Sequence, residues 1–260
     1  MGLTKIEWCD YTFNPWWGCT KISPGCLNCY AESMGKRWGF DCWGKGVPRR
    51  RFTTAQNWDE PLRWNREAAK LDRRPRVFCG SMCDLFDEDR PDEDFERLIK
   101  LTKMTPQVDW LWLTKRPERL SELERWHMAN VWIGVSVENA EHWERVDTMF
   151  TEAFRYHRAK PVRFAKFFVS LEPMLEPIPS CSPQLDWIII GGESGCKARR
   201  FDIEWCERYI ALARTCSVPV FVKQIGSRPY YRGEPYTRFG AKGEQIETWP
   251  ESIRVREEPR

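Results

Sequence analysis

Six short apolar runs set the tightest limit on how this chain folds. They are Val77-Phe78-Cys79-Gly80, Trp110-Leu111-Trp112-Leu113-Thr114, Val131-Trp132-Ile133-Gly134-Val135, Phe167-Phe168-Val169-Ser170-Leu171, Trp187-Ile188-Ile189-Ile190 and Val220-Phe221-Val222. Each is apolar throughout and rich in β-branched or aromatic residues, with none of the alternation that marks a strand with one wet face. Such runs suit strands buried on both faces of a parallel sheet. The stretches between them carry helical periodicity. Phe95, Leu98, Ile99 and Leu101 follow the acidic start Asp92-Glu93-Asp94, and Ile203, Cys206, Ile210 and Ala213 form one stripe behind an N-cap at Asp202. Residues 60–71 and 117–128 are also predicted helical, with Pro117 in a first turn. A further strand is expected around residues 12–16. Strand–helix alternation repeated this often predicts an α/β fold with right-handed crossovers.

The residues at the end of each run separate a barrel from a doubly wound sheet. These ends carry Ser81-Met82-Cys83-Asp84, Lys115-Arg116, Ser136-Val137-Glu138-Asn139, Glu172-Pro173, Gly191-Gly192-Glu193-Ser194-Gly195 and Lys223-Gln224. A doubly wound sheet concentrates functional groups at one switch point. A (β/α) barrel gathers them from all its strand ends at one mouth. Polar groups at all six ends predict a partial, TIM-like (β/α) barrel. Ordinary polar turns explain some of these ends, but not acids such as Asp84, Glu172 and Glu193 so close to apolar runs.

Upstream of the runs lies the sharpest chemical feature. Asn14-Pro15-Trp16-Trp17-Gly18-Cys19 is followed by Ser23-Pro24-Gly25-Cys26-Leu27-Asn28-Cys29-Tyr30-Ala31-Glu32, a C-x6-C-x2-C spacing in a loop that leads to a helix starting near Tyr30. The chain holds 11 cysteines and only 3 histidines, and an odd count cannot close entirely into internal disulfides. The start, MGLTKIEWCD, lacks the layout of a secretory signal. Without such a signal a disulfide framework is not expected. Three thiolates suit an iron–sulfur cluster with one iron left open. They also suit a zinc site, if Cys9 supplies the fourth ligand. Mean hydropathy is −0.62 and no apolar run approaches the ~20 residues of a membrane span, which excludes a membrane protein and points to the cytoplasm.

The segment NPWWGCTKISPGCLNCYAE resembles the phage-associated three-cysteine-motif family of radical S-adenosylmethionine (SAM) enzymes. Further blocks of this chain resemble that family in order: Phe78–Phe86, Leu113–Pro117, Gly134–Asn139, Ser170–Pro173, Gly191–Gly195 and Val222–Gln224, with a weaker match at Gly243–Pro250. The resemblance covers almost the full chain. It implies a radical SAM barrel over residues 1–226, with the cluster loop at 14–32, and a C-terminal extension over 227–260 packed on it. It also implies a 4Fe–4S cluster on Cys19, Cys26 and Cys29 whose open iron binds SAM. One-electron reduction then yields methionine and a 5′-deoxyadenosyl radical, so a reductant of the flavodoxin or ferredoxin type is implied as partner.

Two departures bear on how far that pattern carries over. The commonest radical SAM spacing is C-x3-C-x2-C, whereas the first gap here is six. The block Gly191-Gly192-Glu193 comes far later than the superfamily's glycine-rich acceptor of the SAM amino group. Asp84 with Ser81 is therefore the candidate for that group. Lys115 or Ser136 would meet the carboxylate, Glu138 or Asn139 the ribose, and Tyr30 the adenine. Arg116, Glu172, Glu193, Lys223 and Gln224 are candidates for catalysis or substrate contact, and Cys83 for hydrogen-atom donation. Plainer roles stand beside these: Lys115 and Arg116 as surface charges, Asn139 as a helix cap, Glu172-Pro173 as a strand terminator and Cys83 as a small buried residue. Cys196, Cys206 and Cys216 are evenly spaced, as an auxiliary cluster would need, although Cys206 falls on an apolar stripe.

Net charge is +3, which neither demands nor excludes nucleic acid. The basic run Arg49-Arg50-Arg51 suits either a phosphate contact or a solvated loop. Trp16, Trp17, Trp38 and Trp43 flank it, and aromatics interleaved with arginines can stack bases. Trp112 and Trp132 fall within strands and are expected in the core. The phage association in the resemblance points to modification of DNA or a nucleotide. Two rivals remain: a radical SAM modifier or activase of a protein, including a three-cysteine-motif partner protein, and a zinc-stabilised nucleic-acid-binding module without catalysis.

Overall fold

The computed structural model describes residues 4–123, 128–155, 164–238 and 243–259. Every apolar run forms a strand. With β1 at Tyr11–Phe13, the others are β2 Arg76–Cys79, β3 Asp109–Thr114, β4 Val131–Ser136, β5 Lys166–Leu171, β6 Trp187–Gly191 and β7 Val220–Gln224. They lie in one seven-stranded sheet in the order β1-β2-β3-β4-β5-β6-β7, so each strand neighbours the next in sequence. That is the singly wound order of a partial (β/α) barrel, and it lacks the reversal of a doubly wound sheet. The fold is α/β, of half-barrel type.

The chain forms two compact units. The first comprises Met1–Ile22, Ala31–Gly134 and Thr148–Lys166, the second Ser23–Tyr30, Val135–Asp147 and Phe167–Arg260. In the first, β1 pairs parallel with β2 (Thr12 opposite Phe78), and β2 with β3 (Phe78 opposite Leu111). In the second, β5 pairs parallel with β6 (Val169 opposite Ile188), and β6 with β7 (Ile189 opposite Phe221). All four residues of β2 and all five of β6 are buried, as their unbroken apolar character requires. The outer edge of β7 is covered by the tail. Val222 N–H donates to Val255 O at 2.8 Å and Glu257 N–H to Val220 O at 2.8 Å. Covering removes an open row of strand donors that would otherwise recruit other chains.

The helices are α1 Tyr30–Arg37, α2 Ala55–Ala68, α3 Asp92–Met104, α4 Glu144–Arg155 and α5 Ile203–Thr215. In α5 the Asp202 carboxylate accepts from Glu204 N–H, which is the predicted cap. Asp92, Glu93 and Asp94 occupy the first turn of α3, where negative charge meets the positive end of the helix dipole. Helix α2 starts five residues before the predicted 60–71 and ends at Ala68, since burial of Trp58, Pro61, Trp64 and Ala68 fixes its inner face. The segment 117–128 departs further. Pro117–Leu123 is a 3₁₀ helix, and residues 124–127 lie outside those described. Its buried residues are Pro117, Leu120 and Leu123, a spacing of three that matches 3.0 residues per turn better than 3.6.

Candidate functional site

At the strand ends of the first unit, four charged side chains form a buried chain of alternating sign. Arg116 donates to Asp84 at 2.9 Å and to Asp87 at 3.0 Å. Asp87 also pairs with Arg49, whose Nε lies 3.1 Å from Asp87 Oδ1. Asp84 accepts further from Thr114 Oγ1 (2.7 Å), Lys115 N–H (3.0 Å) and Phe86 N–H (3.0 Å). Its two oxygens thus take four donors from their own chain, about the capacity of a carboxylate. Ser81 takes a hydrogen bond from Asn14 Nδ2 at 3.0 Å, and Asn14 Oδ1 accepts from Met82 N–H at 2.8 Å.

This network fixes the backbone on both sides of Cys19. Thr20 N–H donates to Asp87 Oδ2 at 2.7 Å, and Thr20 O accepts from Arg116 at 2.8 Å. Gly18 N–H donates to Met82 O at 3.0 Å. Gly18 has φ +103°, and a Cβ there would lie 1.8 Å from Cys42 O, so no side chain fits. Burial pushes the Cys83 thiol well up, helped by nearby Cys79, Cys19, Asp84 and Asp87. Cys83 is nonetheless only partly buried by surface area.

In the second unit, two buried carboxylates hold the segment Ser23–Tyr30, which carries Cys26 and Cys29. Glu138 is fully buried, pairs with Arg145 at 2.8 Å and accepts from Gly25 N–H at 3.1 Å. A Cβ at Gly25 would sit 3.0 Å from the Glu138 carboxyl carbon, so glycine permits the approach. Glu193 accepts from Asn28 Nδ2 (3.0 Å), from Arg199 N–H (2.8 Å) and, through both oxygens, from the Arg199 guanidinium (2.6 and 3.0 Å). Burial raises the Glu193 carboxyl, but Arg199 and Asn28 outweigh it and hold it below its ordinary value of 4.5. Arg199 reaches on to Pro24 O at 2.9 Å, and Asn28 to Lys197 O at 2.9 Å. Three points therefore fasten an eight-residue segment.

The other predicted residues of this unit fall at neighbouring strand ends. Glu172 pairs with Lys223 at 2.9 Å and accepts from Ser170 Oγ at 3.1 Å. Gln224 accepts from Ser194 Oγ at 2.8 Å. Ser136 is buried, and its carbonyl takes Arg145 at 2.8 Å. Asn139 Oδ1 accepts from His142 N–H at 3.2 Å, one residue before the N-cap position, which Ala140 occupies. Tyr30 opens α1 and is half exposed.

Cys19, Cys26 and Cys29 are partly exposed and outside any disulfide. None of the eleven cysteines is in a disulfide. Among the described residues, no three His, Cys, Asp or Glu side chains gather as they would around a single metal ion. The regular spacing of Cys196, Cys206 and Cys216 does not bring them together. Cys206 is buried in the core face of α5, Cys196 is exposed, and Cys216 lies against Cys181, whose thiol burial and Cys216 push up to about 12. Arg49, read as phosphate contact or solvated loop, is buried in the ion network, and Arg51 pairs with Asp94 at 2.6 Å. Trp16 and Trp43 are core residues, so only Trp17 and Trp38 of the flanking tryptophans reach the surface.

Sequence alone does not single out Asn14, Asn28, Asp87, Arg145 or Arg199. Asn14 and Asn28 lie inside the cysteine motif itself, which is the one available signal. The arginines give none, because their carboxylate partners Glu193 and Glu138 are 6 and 7 residues away, outside helical pair spacing, and isolated arginines are common.

The family described as Protein of unknown function (DUF5131) matches residues 3–248. No curated protein matches the chain. Among solved structures, one of spore photoproduct lyase, a double mutant with bound AdoMet and dinucleoside spore photoproduct, is similar at 13% identity and a TM-score of 0.49. The similarity covers 85% of this chain and 57% of that one.

Proposed function

The chain belongs to the DUF5131 family, and from there we propose that it is a radical SAM enzyme of the three-cysteine-motif type, acting on a base or nucleoside-linked group of nucleic acid. The observation that carries the reading is the fastening of Ser23–Tyr30 by Glu138, Glu193 and Arg199. A solvated loop has no use for two buried carboxylates, whereas ligands for a metal cluster need fixed positions. The donor set fits such a cluster: three accessible thiols, all sulfur, with no histidine between them in sequence.

In this reading Cys19, Cys26 and Cys29 hold a 4Fe–4S cluster. When bound, the cluster and SAM supply one-electron cleavage of the SAM carbon–sulfur bond. The chain's own residues supply position and exclusion of water. Asp84, Arg116, Glu138 and Glu193 are positioning residues in this reading, because the hydrogen bonds they make run to the loop and to strand ends. Ser81 remains for the SAM ammonium, Lys115 and Ser136 for the carboxylate, and Tyr30 for the adenine. The Glu172–Lys223 pair and Gln224 are assigned to the substrate, and a flavodoxin- or ferredoxin-type protein to electron delivery.

Anaerobic reconstitution tests this directly. Iron and sulfide should load together, and dithionite with SAM should release 5′-deoxyadenosine. Cys19→Ala, Cys26→Ala and Cys29→Ala should each abolish both. Zinc without iron, or a loaded cluster that yields no 5′-deoxyadenosine, would overturn the reading. Nucleoside mass spectrometry of treated DNA and RNA then tests the substrate class.

A further inference from the structure

One cluster in the first unit plays no part in the loop network. The two-residue strand Trp16–Trp17 pairs antiparallel with Arg50–Arg51, and the register sets Trp17 opposite Arg50. The Arg50 guanidinium consequently sits among rings, 3.4 Å from the Phe40 centroid, 4.6 Å from Trp17 and 5.0 Å from Phe52. Trp38, just past the end of α1, stacks on Trp17 with centroids 5.2 Å apart and planes at 28°. Trp38 is nonetheless 54% exposed, and Met34, one turn earlier, is exposed beside it in sequence.

A tryptophan that only fills a core hides its ring. Trp38 instead has one face supported by Trp17 and more than half its surface in water, at a hydrophobic cost with no packing return. The charges nearby are mostly positive, with Asp41 the acid among them. Among the described residues, Arg50, Arg37 and Lys45 have no carboxylate partner, whereas neighbouring Arg49, Arg51 and Lys36 are all paired. An open ring beside unpaired cations is complementary to a ligand that presents a flat aromatic face and a negative charge at short repeat.

We infer that Trp38, with Trp17 and Arg50, is a stacking platform for a single-stranded polynucleotide: a base lies on Trp38 while Arg50, Arg37 and Lys45 meet the adjoining phosphates. A duplex hides its base faces and cannot use the ring. This names the substrate class within the proposed function and rests on that reading only for its purpose. Binding is read without SAM or turnover, so failure here leaves the cluster test standing, and failure of the cluster leaves this one standing.

The test is fluorescence anisotropy of a labelled 15-nucleotide oligo(dT) with the whole protein, purified and reconstituted, over a salt series. Trp38→Ala should weaken binding by about tenfold or more, the usual worth of a stacked base, while Trp38→Phe keeps most of it. Arg37→Gln, on an exposed side chain, should reduce the slope of log affinity against log salt by about 0.7, the value for one phosphate of a single strand. An abasic oligonucleotide of equal length should bind as weakly to the wild type as oligo(dT) binds to Trp38→Ala. The inference is overturned if oligo(dT) does not bind or Trp38→Ala binds unchanged. It is equally overturned if duplex or abasic strand binds as well as oligo(dT), or if Trp38→Ala instead abolishes self-association in sedimentation.

Discussion

Asp87→Ala is the substitution that most directly probes the frame around Cys19. Asp87 is fully buried and takes hydrogen bonds from Thr20 N–H, Asp89 N–H, Arg116 and two nitrogens of Arg49. Truncation leaves the Arg49 side chain, itself wholly buried, short of its principal countercharge. Arg116 keeps Asp84, whereas Arg49 keeps its bonds to the Cys42, Gly44 and Val47 carbonyls but, of its countercharges, only Asp89 at 3.3 Å, which is one-third exposed. Removing one partner of a buried ion pair costs about 3–5 kcal/mol. Total stability of such domains is about 5–15 kcal/mol. At about 2–4 °C per kcal/mol for a chain of this size, the melting temperature should fall by about 6–20 °C. Glu32→Ala removes a pair whose lysines, Lys21 and Lys36, are exposed, and should cost less than about 1 kcal/mol. Urea titration followed by tryptophan fluorescence measures both. A loss below about 1 kcal/mol for Asp87→Ala, or equal losses for the two variants, would show that the network is not what holds this region.

Gly18→Ala should prevent native folding of the cysteine motif, because its methyl would need to displace the Cys42 carbonyl from 1.8 Å; normal protease resistance would refute this. Glu193→Gln tests the second unit through pH. The folded carboxyl titrates below its ordinary value of 4.5, so its stabilisation is complete above that value and is lost as pH falls through the lowered one. The stability gap between wild type and Glu193→Gln should therefore shrink as the medium is acidified below about 4.5. A gap that stays constant in urea titrations across that range would refute the assignment of Arg199 and Asn28 as the cause.

Much of the architecture is legible in the sequence because it rests on local composition. The runs at Trp187–Ile190 and Val131–Val135 cannot be exposed in any arrangement, so they have to be buried strands. Strand order comes from the same regularity. Residues 117–123 differ from expectation because a short segment with burial at every third residue looks α-helical until its neighbours set its turn. Helix α4 escapes prediction although Val146, Met149, Phe150 and Ala153 are buried along it, since acidic and polar residues dilute that stripe. At the site, the acids after the apolar runs stand out, but their task does not. Glu138 and Glu193 read as ligands for a cofactor or substrate, whereas in the fold their oxygens meet Gly25, Asn28 and two arginines. A sequence exposes which residues are costly to bury; it does not say which backbone they will be buried against.

The fastening of Ser23–Tyr30 also orders events during synthesis. Gly25 waits for Glu138, 113 residues later, Asn28 for Glu193, 165 residues later, and Pro24 for Arg199, 175 residues later. At about 5–20 residues per second, Arg199 is made about 9–35 s after Pro24. Until Glu138 is made, 113 residues after Gly25, Cys26 and Cys29 are already translated and have none of these three long-range fastenings, and the last of them waits for Arg199. The nascent thiols pass through a window in which oxidants reach them before their native partners exist, and sulfur is the element least able to ignore that. Loss of those thiols to oxidation in that window would remove side chains that the proposed cluster needs.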